Sequence, residues 1–588
     1  MIKTLSLFMA KFKDILSKKI DSITVAAALV ALSSLASRLL GVVRDRILAG
    51  QFGAGATLDI YYAAFRIPDL IFNLIVLGAL SAGFIPIFTS LLKGGEATTE
   101  GRESSAEIKA RSNNQEESLQ SATSGLNTAS EEDNLEKDNN EAWRLANNVL
   151  NFLLLGLFVL SAVGIIFAPA LTRIIAPGFD SESQALTAVL TRIMFLSPIF
   201  LGLSGIFGGI LQSFKRFLVY SLAPIFYNVG IIIGALYLVP RLGVAGLAWG
   251  VVLGAFLHMV VQWPSVCRLG FRYKFLLQAR DVAVRRLGRM MVPRTLSLAI
   301  SQINLVVITI LASRLSSGSL AVFNFANNLQ SFPIGIFGVS FAIAAFPSLA
   351  ASAFNRERLT ADFSKTIRQI LFFIVPATVL IIALRAQIIR VVLGTGNFDW
   401  NDTILTMNTL GYFVISLFAQ ATIPLLVRVF YARENSATPF YLGLVTVAAN
   451  IVLSLILGPL MGVAGLALAF SIANIINFIL LWICLSFSIG ALDLGRILIS
   501  VFKFSISAVA AGGAAQIMKV IVWPFIDMTK FSGVFIQLVA AGLAGILVYA
   551  LFCFLFRSEE LFGFLAAARR RLPFKKVKVG DQGEALGI

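Results

Sequence analysis

Residues 462–489 read GVAGLALAFSIANIINFILLWICLSFSI, without a single charged side chain. A helix needs about 20 consecutive apolar residues to cross the hydrocarbon core of a bilayer, so this stretch predicts a membrane-spanning helix. The rest of the chain follows the same pattern: 57% of its 588 residues are hydrophobic and 13% are charged, with a mean hydropathy of +0.85. Because soluble domains carry about 25% charged residues, the composition excludes an ordinary soluble fold.

Apolar stretches of this kind recur along the whole sequence. Since the bilayer acts as the solvent for such stretches, they predict an all-α polytopic membrane protein with about fourteen transmembrane helices. The predicted spans lie near residues 23–48, 60–91, 144–169, 186–213, 218–239, 243–264, 290–312, 320–350, 365–393, 404–431, 439–459, 462–489, 497–521 and 532–557.

The sequence also repeats itself. Residues 243–250 read GVAGLAWG and residues 462–469 read GVAGLALA, while the helix ending at Pro86 resembles the helix ending at Pro347. Because six spans separate equivalent positions, both copies have the same orientation in the membrane. We expect two six-helix lobes related by a pseudo-two-fold axis along the membrane normal, plus two C-terminal helices. A chance resemblance between helices rich in Gly, Ala and Leu is the alternative.

Domain boundaries follow from these spans and from the loops between them. Residues 94–142 are rich in Ser, Asn, Glu and Gly and cannot bury enough apolar surface to fold, so we expect a disordered cytoplasmic insertion there. The predicted segments are an N-terminal cytoplasmic segment (1–22), an N-lobe that contains the insertion (23–264), a basic inter-lobe linker (265–289), a C-lobe (290–489), helices 13 and 14 (490–557) and a basic cytoplasmic tail (558–588).

The net charge of +17 comes from Lys and Arg in short loops and tails, a placement that indicates membrane topology rather than a nucleic-acid partner. The loop between spans six and seven carries Arg268, Arg272, Lys274, Arg280, Arg285, Arg286 and Arg289. Since basic loops stay in the cytoplasm, we expect a multi-pass inner-membrane protein with both termini cytoplasmic. The basic cluster from Arg569 to Lys578 is expected to attract anionic membrane lipids.

Signatures of enzymes and metal sites are missing from the sequence. His258 is the single histidine, and Cys267, Cys484 and Cys553 are isolated, which argues against zinc sites, disulfide frameworks and hydrolase triads. There is no GxxxxGK[ST] or HExxH motif, and we expect no cofactor. A transporter without a nucleotide site takes its energy from the membrane potential or from a Na+ or H+ gradient, unless transport is downhill.

Charged side chains inside the first two spans are the strongest functional signal. An ionisable group inside a span costs about 2.5 to 3.5 kcal/mol on insertion scales, so it usually faces a wet cavity or an ion partner. Arg38, Arg44 and Asp45 lie in the first span. Asp59 and Arg66, two turns apart in the second span, are expected to form an ion pair or to line the same cavity. Arginine suits a diphosphate because its planar fork donates paired hydrogen bonds, although such arginines also anchor helices at the membrane interface.

Polar side chains in the second half form a weaker signal. Those predicted to face a cavity are Arg294, Gln302, Arg314 and Asn328. For the asparagines, an interhelical hydrogen bond is the favoured alternative. Asn450 and Asn474 are weak candidates for binding a coupling cation through their carbonyl oxygens, because no carboxylate accompanies them.

The motifs of the first two spans resemble those of one transporter family. SRLLGVVRD at 37–45, FGAG at 52–55, FRIP at 65–68 and FIP at 84–86 are similar to the first two helices of the MurJ (MviN) family, a branch of the multidrug/oligosaccharidyl-lipid/polysaccharide exporter superfamily. APGF at 176–179 and SQI at 301–303 extend the resemblance over nearly the whole chain. It implies fourteen helices in two lobes and alternating access that moves lipid II, the undecaprenyl-pyrophosphate-linked peptidoglycan precursor, from the cytoplasmic to the periplasmic leaflet of a bacterial inner membrane.

The resemblance also implies site residues. The family's cavity residues fall on Arg38, Arg44, Asp59 and Arg66. Two arginines that are common in the family are replaced here by Phe72 and Asn328, and an acidic residue is replaced by Ser331. We expect Arg294 or Arg314 to restore the positive charge that these replacements remove.

Three transport functions fit these patterns. A lipid II flippase is the first, an exporter of another polyprenyl-pyrophosphate-linked saccharide is the second, and a cation-coupled drug exporter is the third. A drug exporter is expected to have an acidic, aromatic-lined pocket, whereas the first two spans carry arginines. A membrane scaffold, the non-transporting alternative, needs neither buried charges nor a duplicated lobe. For a flippase, cell-wall synthesis proteins are a further expected class of partner.

Overall fold

The computed structural model describes residues 23–77, 83–92, 127–490 and 492–571. This part of the chain is all-α and contains no β-strand. The helices of its first half are α1 (Ile23–Phe52), α2 (Ala56–Phe72), α3 (Ile85–Leu92), α4 (Asn127–Ile175), α5 (Ser181–Met194), α6 (Ser197–Ser213), α7 (Phe217–Ile233), α8 (Val239–Leu242), α9 (Ala245–Val260), α10 (Trp263–Arg268) and α11 (Val282–Ser313). A π-helical segment, Asn73–Leu77, continues α2, and a second one, Gly234–Leu238, continues α7.

The second half is helical as well. Its helices are α12 (Ser319–Pro333), α13 (Ser340–Ala351), α14 (Arg356–Val392), α15 (Trp400–Val414), α16 (Leu417–Ala432), α17 (Ala437–Met461), α18 (Val463–Ile489), α19 (Leu494–Val522), α20 (Phe531–Leu555) and α21 (Glu559–Arg571). A π-helical segment, Ile334–Val339, joins α12 to α13, and a 3-10 turn, Trp523–Phe525, follows α19.

Ten helices or joined helices of the described residues are long and apolar enough to cross a membrane. The pair α15 and α16, bent by 44° at its break, makes an eleventh span if it is counted as one. The other predicted spans correspond to α1, to the region of α2 and α3, which includes the undescribed residues 78–82, and to α11. These helices are consistent with fourteen spans, and the number fourteen stays a prediction.

The backbone adopts the same special conformations in both halves. Lys215 and Glu434, which follow α6 and α16, have φ angles of 57° and 59°. Gly243 and Gly462, which precede α9 and α18, have φ angles of 60° and 62°. Left-handed backbone is uncommon outside glycine, so its recurrence at matched positions argues against chance. The fourth predicted span is also broken in each half, between α5 and α6 and between α15 and α16, which supports the duplication.

The π-helical segments of the second and eighth predicted spans recur in the same way. Asn73–Leu77 begins thirteen residues before Pro86, and Ile334–Val339 begins thirteen residues before Pro347. Such segments disturb the regular hydrogen-bond ladder and are frequent at functional sites. Both halves therefore carry an irregular turn at the same level of an equivalent helix.

The prediction of disorder over 94–142 is wrong at its C-terminal end, because α4 begins at Asn127. Residues 127–142 read NTASEEDNLEKDNNEA, which includes Ala, Glu, Leu and Lys, all good helix formers. They belong to the same helix as the third span. Because that helix is already formed, extending it avoids the free-energy cost of nucleating a new one. Residues 94–126, like residues 1–22 and 572–588, lie outside the described residues, and disorder there stays a prediction.

Contacts between residues divide the chain into two compact units. The first unit comprises Met1–Phe325, Val392–Leu405 and Val447–Ala469, and the second comprises Ala326–Val391, Thr406–Thr446 and Phe470–Ile588. This division follows contacts, whereas the predicted lobes, 23–264 and 290–489, follow the repeat, and their boundaries stay a prediction.

Aromatic side chains form much of the core of the first unit. Phe84 and Phe88 are fully buried, and their stacked rings lie 5.2 Å apart. Trp143, at the start of the third span, stacks on Phe214, which follows α6, with ring centroids 5.8 Å apart. This cluster joins α3, α4 and α6 at the end of the unit where the inter-lobe linker also lies.

Three asparagines of α4 hold that linker as an extended segment over residues 272–278. Asn147 accepts a hydrogen bond from the backbone N–H of Lys274 at 2.7 Å, and Asn151 donates to the C=O of the same residue at 2.9 Å. Asn148 both accepts from and donates to the backbone of Gln278, at 2.9 and 3.1 Å. The three side chains are at most 3% exposed. Because an amide side chain offers the same donor and acceptor as a peptide group, these asparagines take the place of a neighbouring strand.

We expect Asn148→Ala to loosen the linker. The change removes both hydrogen bonds to Gln278, each worth about 0.5 to 1.5 kcal/mol, so the segment should open about tenfold more often. Limited digestion of the purified protein with trypsin, which cuts after Lys274 and Arg280, measures this opening. Asn140→Ala, at an exposed position of the same helix, is the control. Equal cleavage rates in the two variants would contradict the prediction.

In the second unit, α19 and α20 form a hairpin that packs against α14. Gln387 of α14 donates to Oε1 of Gln537 in α20 at 2.9 Å. Tyr549 of α20 donates its hydroxyl hydrogen to the C=O of Phe372 in α14 at 2.7 Å. The two C-terminal spans are therefore integral to this unit.

Connections between the spans of the first unit meet at two opposite ends. At the linker end, defined by residues 272–278, the linker lies on α4 at Asn147–Asn151. At the other end, the N–H of Asn397 donates to the C=O of Gly50 at 2.8 Å, and the N–H of Gly178 donates to Oγ of Ser313 at 3.3 Å. The predicted topology places these four connections on the side of the membrane opposite the linker, and they contact each other in pairs.

Candidate functional site

Arg44 of α1 is the central charged residue of the candidate site. Its guanidinium donates to Oδ1 of Asp45 from Nε at 3.0 Å and from Nη2 at 2.7 Å. Its Nη1 donates to Oδ1 of Asn228 in α7 at 3.1 Å. Asp45 is 5% exposed, so this ion pair is largely removed from water. These bonds hold Arg44 in one orientation and join α1 to α7.

A cavity of about 640 Å³ lies in the first unit, and Arg38 of α1 is one of its lining residues, whereas Arg44 is not. We call it the arginine cavity. Its lining includes Ser37, Arg38, Phe72, Gln212, Tyr220 and His258. Arg38 is exposed on its wall, so the side chain supplies positive charge to the space. Phe72 lines the cavity where the family resemblance implies an arginine, so one expected cationic contact is missing here.

A polar cluster formed by α6, α9 and the turn that follows α9 was not predicted from the sequence. Oγ of Ser204 lies 2.5 Å from Nδ1 of His258 and accepts a hydrogen bond from Gln262 at 2.5 Å. All three residues line the arginine cavity. Oε1 of Gln262 is buried and has no partner among the described residues. Ser204 is distant from the other two in the sequence, so only the fold shows that they form one polar wall.

Asp59 caps a helix and makes no ion pair with Arg66 in the described structure. Its carboxylate accepts hydrogen bonds from the backbone N–H groups of Gly318 at 2.7 Å and Ala321 at 2.8 Å, at the start of α12. The side chain favours these donors because the first amides of a helix lack partners and carry partial positive charge. Gly318, with a φ of 89°, packs directly on the C=O of Ala54, where no side chain would fit.

Arg66 connects α2 to α11. Its Nε donates to Oγ1 of Thr309 at 3.0 Å, and the residue is 8% exposed. Of the two arrangements expected for Asp59 and Arg66, the ion pair is therefore not formed. A contact between Arg66 and a substrate stays a prediction.

The arginines expected to replace the missing charges lie in different settings. Arg314 is exposed in the turn between α11 and α12. The side chain of Arg294 lies outside the described side chains. Gln302 is half-buried, and its Oε1 has no partner among the described residues. Asn328 is exposed on α12 in the second unit. Restoration of the charge by either arginine stays a prediction.

Amide and hydroxyl side chains form a hydrogen-bonded network in the second unit. Gln420 donates to Gln330 at 2.9 Å and to Ser416 at 2.8 Å, and Ser416 donates to Ser471 at 3.0 Å. Gln330 also donates to Asn327 at 3.1 Å. The network lies at the break between α15 and α16, where it satisfies polar groups that the apolar surroundings would otherwise penalise. These polar residues therefore serve interhelical hydrogen bonding.

The two candidate cation ligands also have partners within the protein. Asn450 donates to Oδ1 of Asn304 at 2.7 Å and accepts from Ser454 at 3.5 Å. Asn474, in the second unit, donates to the C=O of Phe470 at 2.8 Å. In the part of the chain that the structure describes, no group of three or more His, Cys, Asp or Glu residues could hold a metal ion. Cation binding by these asparagines stays a prediction.

The arginine cavity and the helical fold agree with the similarity of this chain to known proteins. The family model for the lipid II flippase MurJ matches residues 48–536. The chain belongs to the MurJ family. Among curated MurJ proteins, the lipid II flippase of Burkholderia cenocepacia is 28% identical over 462 residues, which cover 76% of this chain and 81% of the relative. The probable lipid II flippase MurJ of Thermotoga maritima is 27% identical over 537 residues, covering 90% and 96%.

Solved structures show the same fold. A lipid II flippase MurJ in an inward closed conformation aligns with a TM-score of 0.69 at 24% identity, covering 90% of this chain and 98% of that one. An inward-facing MATE-family multidrug transporter aligns with a TM-score of 0.58 at 16% identity, covering 78% and 95%. The predicted all-α transporter fold and the MurJ resemblance are thus confirmed. As a MurJ family member, the chain is an integral inner-membrane transporter and not an enzyme.

Proposed function

We propose that this protein moves lipid II from the cytoplasmic to the periplasmic leaflet by alternating access. The observation that carries the proposal is the exposed Arg38 on the wall of the arginine cavity, with a second arginine, Arg44, six residues further along α1 and bonded to Asn228. A diphosphate headgroup is bound well by guanidinium groups, which stay charged and donate paired hydrogen bonds. A cation-coupled drug exporter would instead place acidic groups around its substrate. The family membership supports the same substrate class.

We further propose that both termini and the linker end face the cytoplasm. The linker carries the densest group of basic side chains in the predicted loops, and such loops are retained on the cytoplasmic side. In this orientation the C-terminal basic cluster lies near anionic lipids of the inner leaflet, which attract it. Cell-wall synthesis proteins that supply or use the lipid are the partner class that fits this function.

The membrane potential is a source of energy that suits an anionic cargo. Because the cytoplasm is negative, the membrane potential favours the transfer of an anion to the outside. The free energy of this transfer falls by about 2.3 kcal/mol for each negative charge and each 100 mV. A Na+ or H+ gradient is the alternative source.

Arg38→Ala tests the proposed function. We expect the wild-type chain to rescue a bacterium depleted of its own lipid II flippase and to restore exposure of lipid II on the outer leaflet. Loss of a charge-assisted hydrogen bond, worth about 1.5 to 3 kcal/mol, should lower that exposure about tenfold or more in Arg38→Ala. Arg241→Ala is the control, because Arg241 is exposed and bonds to the C=O of Tyr237 one turn away.

Each outcome assigns the function differently. Rescue by wild type and by Arg241→Ala, but not by equally expressed Arg38→Ala, supports a lipid II flippase with a cationic cavity. Rescue by all three proteins would show that transport does not need Arg38. Failure of a well-inserted wild-type protein shifts the assignment to another polyprenyl-pyrophosphate-linked saccharide.

A further inference from the structure

The polar wall of the arginine cavity, formed by Ser204, His258 and Gln262, differs in chemistry from the side that carries Arg38. Among the described residues that line this cavity, Arg38 is the one with a permanent charge, and it belongs to α1. The polar wall comes from α6, α9 and the turn after α9, and it offers a hydroxyl, an imidazole and an amide. One cavity therefore combines a cationic side with a neutral hydrogen-bonding side.

The amide of Gln262 is held in one orientation. Its Nε2 donates to Oγ of Ser204 at 2.5 Å and to the C=O of His258 at 3.1 Å. Because a backbone carbonyl can only accept, the second contact decides which end of the amide is the nitrogen. Oε1 is then left as a buried acceptor without a partner among the described residues. A buried acceptor without a donor costs free energy, so a donor that reaches it from the cavity is bound favourably.

His258 has one committed and one open ring nitrogen. Nδ1 lies 2.5 Å from Oγ of Ser204, whereas Nε2 has no hydrogen-bond partner among the described residues. In a neutral imidazole one nitrogen donates and the other accepts, so Nε2 offers one of these two roles to a ligand. The polar wall thus has an open hydrogen-bonding position on a residue that lines the cavity.

An aromatic ring lies beside these groups. Tyr220 of α7 also lines the cavity and is 38% exposed. A Cβ atom at Gly208 would lie 3.0 Å from the ring of Tyr220 and 3.3 Å from Oε1 of Gln262, so the missing side chain leaves room for both groups. The face of an aromatic ring is partly negative and attracts partly positive C–H groups.

Neutral hydrogen-bonding groups beside an aromatic ring suit a sugar. A sugar has hydroxyl groups around its rim, which both donate and accept, and C–H groups on its faces. The acetamido group of an N-acetylated sugar adds one N–H donor and one C=O acceptor. An acyl chain would leave the polar groups of this wall without partners, and a phosphate would find no cation on it. The chemistry of the wall therefore favours a sugar over both.

The volume of the cavity allows a diphosphate and a sugar to bind together. Cavities of about 300 to 1,000 Å³ enclose most of a drug-sized ligand, and the arginine cavity has a volume of about 640 Å³. In lipid II the first sugar is bonded directly to the diphosphate. A diphosphate at Arg38 therefore places that sugar in or beside the same space.

We propose that the polar wall binds the sugar that is joined directly to the diphosphate of the cargo. Nε2 of His258 and Oε1 of Gln262 form hydrogen bonds with its hydroxyl or acetamido groups, and the ring of Tyr220 packs against its C–H face. This inference rests on the proposed lipid II transport. It adds a contact that distinguishes a lipid-linked saccharide from the lipid diphosphate alone.

Native mass spectrometry of the full-length protein in detergent tests this site with two probes. One is undecaprenyl diphosphate, and the other is the same lipid carrying N-acetylmuramic acid without a peptide. Wild type should bind the sugar-bearing lipid about tenfold more tightly. His258→Asn keeps a polar group at the position of Nδ1 but lacks Nε2. In this variant the preference should fall about fivefold, while the affinity for undecaprenyl diphosphate stays close to that of wild type.

Further variants separate a contact with the sugar from a role in the fold. His258→Gln places an amide near the position of Nε2 and should keep more of the preference than His258→Asn. Tyr220→Leu removes the ring and should also reduce the preference. Gln184→Leu is the matched control for Gln262→Leu, because each glutamine donates two hydrogen bonds within the protein but Gln184 does not line the cavity. The unfolding temperature of each variant is measured, and the preference is compared within one variant.

Each other outcome overturns the proposal in a recognisable way. Equal affinity of wild type for the two lipids excludes a sugar contact. An equal loss of both lipids in His258→Asn assigns His258 to the fold. A preference that appears only when the probe also carries the peptide assigns the polar wall to the peptide. Binding of neither lipid contradicts the proposed function as well, whereas binding of both without preference contradicts the sugar contact alone.

Discussion

Asp59→Ala should destabilise the folded protein by about 3 to 5 kcal/mol, one of the two largest effects that we expect from a single substitution. The Asp59 carboxylate is the acceptor for two buried backbone N–H groups, those of Gly318 and Ala321. Alanine offers no acceptor, and at 3% exposure water cannot replace the carboxylate without local opening. The first turn of α12 then loses its connection to α2.

Thermal unfolding of the purified protein in detergent measures this loss. Asp180→Ala is the matched control, because Asp180 also caps a helix, α5, through a 3.4 Å bond from the N–H of Ser183 in an exposed turn. We expect a much smaller change there, since water can replace the carboxylate. Asp59→Asn keeps one acceptor oxygen and should fall between the two. Equal shifts for Asp59→Ala and Asp180→Ala would contradict the assigned role.

Arg44→Ala should abolish transport and also lower stability by about 3 to 5 kcal/mol. The change removes three hydrogen bonds at once, two of them to the buried Asp45 carboxylate. Arg44→Lys keeps the charge but lacks the planar fork that reaches Asp45 and Asn228 together, so we expect an intermediate result. Lipid II exposure in the rescue strain and unfolding temperature are the two measurements.

A double variant separates the two effects. Arg44→Ala with Asp45→Ala also removes the buried carboxylate that the first change deprives of this arginine, so the unfolding temperature should recover in part. Transport should not recover, because the positive charge of Arg44 is still missing. If transport returns together with stability, Arg44 serves the fold and does not serve the cargo.

The fold was largely predictable because its determinants are local. Apolar length predicts spans, and the GVAG repeat predicts a duplication that the φ angles of Gly243 and Gly462 support. The start of α4 was missed because polar composition was taken as a sign of disorder, although a polar segment joined to a long helix continues it at low cost. Hydropathy indicates whether a segment lies in lipid. Helix propensity does not depend on hydropathy, so a polar segment can still be helical.

The candidate site was predictable only in part. Arg38 and Arg44 stood out because a charge inside a span is costly. The role of Asp59 was not predictable, since its partners are backbone N–H groups at Gly318 and Ala321, which no side-chain pattern marks. Asn228 was missed for a related reason: an asparagine in a span is ordinary until the fold places it against an arginine.

The matched π-helical turns at Asn73–Leu77 and Ile334–Val339 have a mechanical consequence. Such a turn stores one surplus residue, and its relaxation into α-helix would rotate everything beyond it by about 100° and displace it by about 1.5 Å. Each half therefore contains a π-helical turn at which a change of one residue in winding would alter the face that the following segment presents.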